Sequence, residues 1–109
     1  MLLKNFTPHN VVVVVDEAAT IVIPSEGIAR VTETKTVAPS IDVDGAIIET
    51  FTSSFGEVEN LPPREEGVMI IVSALVASAA KDRNDLIVPG DLVRDASGNI
   101  IGCKSFRRP

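Results

Sequence analysis

The chain has 109 residues, a formal net charge of −5, 45% hydrophobic residues, four Phe, no Trp or Tyr, one Cys and one His. That length holds a single domain over residues 1–109, with a core built from Val, Ile, Leu and Ala. An acidic chain poor in aromatics lacks the basic surface that duplex nucleic acid requires, and a lone Cys excludes an internal disulfide and a C-x-x-C zinc site.

In chain order, residues 2–6 predict a first strand, closed by Thr7-Pro8-His9-Asn10, where Pro8 drives Thr7 toward extended backbone. Five valines at 11–15 predict a strand buried on both faces or central in a sheet. Asp16-Glu17-Ala18-Ala19 turns it into residues 20–23, and the two form a hairpin. Residues 29–38 (ARVTETKTVA) alternate as a Thr-rich, half-exposed strand. Across a loop containing Pro39, residues 46–55 pair with it, beyond an acidic turn at 42–45. Residues 56–66, with four Glu and two Pro, read as a surface loop.

Residues 68–80 (VMIIVSALVASAA) change period partway. The first five suit a buried strand, and the rest form a short helix with Ser73 as N-cap. A strand running into a capped helix gathers backbone N–H groups and the positive end of a dipole in one place, which suits an anion such as phosphate. The segment is the longest apolar run and is too short to cross a bilayer. MLLKNFTPHN has no long apolar stretch of a secretory leader, so a cytoplasmic protein without a membrane partner is expected. Residues 81–85 make a charged turn and 86–88 a short strand that Pro89-Gly90-Asp91 breaks. Residues 92–95 and 99–104 then flank a tight hairpin at Ala96-Ser97-Gly98. The expected class is α+β: a mainly antiparallel mixed sheet or partly open barrel with one short α-helix.

Five blocks, Asn5-Phe6-Thr7-Pro8-His9, Phe55-Gly56-Glu57-Val58, Ile71-Val72-Ser73-Ala74-Leu75-Val76, Pro89-Gly90-Asp91-Leu92-Val93-Arg94-Asp95 and Ile101-Gly102-Cys103, lie in an order that resembles a family of small bacteriophage and prophage proteins. The resemblance spans nearly the whole chain and carries no established activity. Small phage proteins of this size include sponges that sequester nucleotide immune signals, such as cyclic ADP-ribose isomers or cyclic dinucleotides. By analogy, the resemblance implies a nucleotide-like small molecule as partner.

The residues point the same way on separate grounds. Residues 1–66 hold 11 acids and four bases, and residues 67–109 hold four acids and six bases, so the halves carry −7 and +2. A phosphate at Ser73 and Ala74 would draw its positive charge from Arg83 or Arg94, with Arg64 a further candidate, since a guanidinium matches phosphate geometry. His9 and Thr7 supply a second polar feature, and Glu57 and Asp91 would accept from ribose or base. Each has a plainer reading: capping for Ser73, turn formation for Asp91, a cross-hairpin pair for Arg94, solvation for Glu57 and a held turn for His9. One His, one Cys and no G-x-S-x-G elbow leave no nucleophilic triad, and no metal or cofactor is expected. Three classes result. A non-enzymatic ligand-sequestering protein leads. A structural or protein-binding phage module and a small hydrolase using carboxylates and His9 are the alternatives. Mean hydropathy of +0.27 also predicts a homo-oligomer.

Overall fold

Period-two and β-branched segments dominate this chain, and strands dominate its structure. The computed structural model describes residues 1–16 and 19–109. Within them lie β1 (Leu2–Asn5), β2 (Val11–Asp16), β3 (Ala19–Ile23), β4 (Arg30–Val43), β5 (Ala46–Glu59), β6 (Val68–Ile71), α1 (Ala74–Ala79), β7 (Leu86–Arg94) and β8 (Ile100–Arg107). Six strands form one mixed sheet in the order β1-β6-β7-β8-β2-β3, and β4 pairs with β5 as a separate ribbon. The sheet curls. Its end strands meet where Asn5 bridges Ser25 and the Glu26 N–H donates to the Asn5 carbonyl at 2.9 Å, which makes a half-barrel.

The expected mixed sheet and single short helix are present, and antiparallel pairing is confined to the hairpins. Within the large sheet β1–β6, β6–β7 and β8–β2 run parallel, while β7–β8 and β2–β3 run antiparallel. Parallel neighbours need a crossover, and α1 with the turn after it supplies one between β6 and β7. The helix lays Val76 and Ala77 onto one face, where they join Ile70, Val72, Leu86 and Val88. The other face packs Ile71, Met69, Ile87, Val11 and Cys103.

Four expectations need correction. The valine strand β2 lies inside the sheet, between β8 and β3, but is not buried on both faces: only Val11 is buried and Val15 is 59% exposed. Its seam with β8 is a single paired position, Val13 with Cys103. Pro89-Gly90 does not break β7. The strand pairs with β6 only at Leu86 and Ile87, so Pro89 falls where one side of β7 has no ladder to lose. Residues 56–59 belong to β5, and only the remainder of 56–66 is loop. Pro39 sits inside β4 at a register shift between Ala38 and Ile41, a bulge in an edge strand rather than a loop. In the β2–β3 turn, Glu17 and Ala18 lie outside the described residues.

β4 and β5 form an arm of 14 residues per strand. Asp44 and Gly45 both have positive φ, 52° and 87°, the geometry of a type I′ two-residue hairpin loop. The arm's root, Val31 and Val58, packs with Phe6 and Leu61 against the helix-side core. The radius of gyration is 17.7 Å, against about 13 Å for a compact chain of this length.

Candidate functional site

Asn5 ends β1 and is completely buried. Its Nδ2 donates to the carbonyls of His9 (2.8 Å) and Ile23 (2.9 Å), and its Oδ1 accepts from the Thr7 N–H (2.9 Å) and Thr7 hydroxyl (2.7 Å). A buried amide satisfied on both ends is what such burial requires. These bonds fold residues 5–9 back on themselves and carry Thr7 and His9 to the end of the sheet. Ser25 adds a latch, its hydroxyl donating to the Thr7 carbonyl at 2.7 Å. The turn is thus held by the Asn5 side chain, with His9 contributing its carbonyl while its ring stays exposed.

Beside that turn, β6 passes into α1. The Phe6 N–H donates to the Ile71 carbonyl and the Val72 N–H to the Ile87 carbonyl, so β1 and β6 end in register beside the start of β7, which runs on past them. Ser73 is the N-cap, with extended backbone (φ −70°, ψ 159°) and a hydroxyl that accepts from the Val76 N–H at 3.3 Å. The capping expectation holds, and the helix ends one residue short of the expected Ala80, which is its C-cap.

A cleft of about 580 Å³ opens between these two features and the seam of β8 with β2. Thr7, His9 and Asn10 line one side, and Ser73 and Ala74 line another. Leu92, Ile100 and Ile101, all about half exposed, form an apolar wall. Gly102 sits in the wall where the backbones nearly touch. A Cβ there would stand 2.8 Å from the Val12 carbonyl oxygen. Cys103 forms part of the floor; burial pushes its thiol upward from the ordinary value and keeps it protonated. The volume falls in the range of small-molecule sites, and among the described residues no carboxylate lines it.

Of the residues expected to form a site, the structure brings together Thr7, His9, Ser73 and Ala74. Arg83 lies elsewhere: its guanidinium donates twice to Asp85 (2.8 and 2.7 Å) and once to the Pro62 carbonyl (2.9 Å). The hydrogen bond to Asp85 raises Arg83, and its counterpart holds the Asp85 carboxyl below the usual range despite burial. Arg94 donates to the Gly98 carbonyl at 2.9 Å and fastens the β7–β8 turn. Arg64 donates to the Asn84 side chain. Asp91 accepts from the Ser105 hydroxyl at 2.7 Å and lines a shallow hollow with Arg94 and Lys104. Glu57 is exposed on the arm. Within one chain, His9 is therefore the one Lys, Arg or His side chain at the cleft among the described residues. Among those residues no three His, Cys, Asp or Glu side chains gather in a metal-holding group, and no helix is long and apolar enough to cross a membrane.

Asn5 and Gly102 were missed by the sequence reading. Both left a signal: a lone amide inside an apolar strand just before a Pro turn, and an isolated glycine inside a strand, which marks close backbone approach. Comparison of the chain with protein-family models, curated proteins and solved structures gives no match.

Proposed function

We propose that this protein is a phage-encoded binding protein that takes an anionic nucleotide into the cleft between the Thr7–His9 turn and the start of α1, and sequesters it unchanged. The observation that carries the reading is the composition of that cleft. A rigid polar rim of hydroxyls, amides and one imidazole faces an apolar wall, in a volume that accommodates a nucleotide. The base would lie on Leu92, Ile100 and Ile101. The phosphate would meet Ser73, Ala74 and His9, and Thr7 would bond a ribose hydroxyl. Sequestration is favoured over hydrolysis because acid–base chemistry needs a carboxylate or a second group that ionises near neutral pH beside His9; the described lining holds no carboxylate, and burial keeps the Cys103 thiol protonated. The ligand class proposed is a cyclic ADP-ribose isomer or cyclic dinucleotide, and the benefit would be to counter host defence.

One observation favours a second reading. The exposed β4–β5 arm suits a structural or protein-binding module without a small ligand. Incubation with each nucleotide, removal of the unbound pool, heating and chromatography of what is released separate the classes. Intact ligand in stoichiometric amount supports sequestration, altered ligand supports an enzyme, and no retained ligand leaves the protein-binding module.

A further inference from the structure

We infer that the β4–β5 arm is an interface between copies of this chain, each arm lying on the body of the other. The inference stands independently of any ligand in the cleft. Its first support is area. The chain exposes 7572 Å², whereas a folded monomer of its mass exposes roughly 5,800 Å². The excess, about 1,700 Å² per chain, doubles to about 3,400 Å² in a pair, within the range of obligate homodimers.

The second support is the ribbon itself. Among the described residues, Val31 and Val58 are the ribbon side chains packed against the hydrophobic core, and a two-stranded hairpin is marginally stable alone in water. At about 3.3 Å per residue its strands reach roughly 46 Å, longer than the 39 Å and 19 Å minor extents of the molecule. One face carries a stripe fit for burial. Val37 and Phe51 are cross-strand partners, and period-two alternation puts Ile47 and Phe55 on the Phe51 face. Val37 is 86% exposed and Phe51 55%. Lys35 sets its ammonium 4.6 Å from the Phe51 ring centroid.

Charge selects the receiving surface. The arm carries six acids (Glu33, Asp42, Asp44, Glu49, Glu57, Glu59) against Arg30 and Lys35, a net −4. Two such arms laid side by side would repel. The rest of the chain holds eight bases against nine acids, a net −1, so an arm across a partner's body meets less repulsion than an arm on an arm. The same contact made twice is an isologous, closed interface.

Sedimentation velocity on the full chain tests this across 1–100 micromolar in moderate salt. At least twice the 11.6 kDa chain mass is expected. The triple variant Val37→Thr, Ile47→Thr, Phe51→Thr keeps β-forming residues at exposed positions. It should retain the wild-type circular dichroism spectrum and weaken assembly at least tenfold. Thr36→Ser and Thr52→Ser, on the opposite face, should leave assembly unchanged. A wild-type chain monomeric throughout the range, including one that assembles only with an added second protein, overturns the inference. So does a folded triple variant that assembles like the wild type.

Discussion

Replacing Asn5 by Ala removes the brace of the turn that forms one side of the cleft. Four hydrogen bonds vanish from a fully buried position, two given by the amide and two received. A neutral hydrogen bond contributes about 1 kcal/mol net, and a buried group left unpaired costs about 1–3 kcal/mol. The His9 carbonyl also accepts from the Thr7 hydroxyl at 2.9 Å and stays partly satisfied. The expected loss is therefore about 3 kcal/mol, a large part of the roughly 5–15 kcal/mol that a chain of this size holds. Asn5→Asp separates shape from chemistry. Its carboxylate would face the His9 and Ile23 carbonyls, so its folded pKa would rise above the unfolded value. The variant's stability is then greatest below about pH 4 and falls as pH rises through the folded pKa. Urea unfolding of wild type, Asn5→Ala and Asn5→Asp at pH 4 and pH 7 measures both effects. An Asn5→Ala loss below about 1 kcal/mol, or an Asn5→Asp penalty no larger at pH 7 than at pH 4, would refute the reasoning.

Arg83→Met should cost about 3–5 kcal/mol, because it leaves the buried Asp85 carboxylate unpaired. In the wild type, Asp85 titrates below its unfolded value, so its contribution is present above about pH 4 and disappears as pH falls through the folded pKa. In the variant this dependence reverses, and thermal melts at pH 4 and pH 7 read the difference. Gly102→Val should destabilise by about 2 kcal/mol or more, since its Cβ meets backbone rather than a mobile side chain; denaturant titration checks it. Cys103→Ser should cost about 1–3 kcal/mol by placing a hydroxyl in an apolar site, while alkylation of the native thiol should be slow until the chain unfolds.

Local chemistry was legible where it was sufficient. Ser73 before Ala74-Leu75-Val76 announced a cap, Gly98 a turn with positive φ, and Asp44-Gly45 a hairpin. Pairing across long separations was not legible. The parallel partnership of β6 with β7 and the thin seam of β2 with β8 depend on which strands meet after curling, and a valine run reads alike in a covered or a half-open strand. The prediction of solvated charge at Glu57 suits the arm. Arg83 as a phosphate ligand competes with its own neighbour, because Asp85 stands two residues away and needs a cation once buried. Of the candidate site, the turn and the helix start were readable from Pro8 and Ser73. The apolar wall was not, since Leu92 and Ile101 come from two strands of a hairpin whose far side is set by β2.

The most direct test of the proposed binding site is a two-dimensional amide NMR titration of the intact chain with cyclic ADP-ribose isomers and cyclic dinucleotides. Saturable shifts are predicted at Thr7, His9, Ser73, Ala74 and Gly102, with the arm residues Val37–Phe51 unmoved by ligand. No saturable shift with any nucleotide, or shifts confined to residues away from the cleft, would contradict the account.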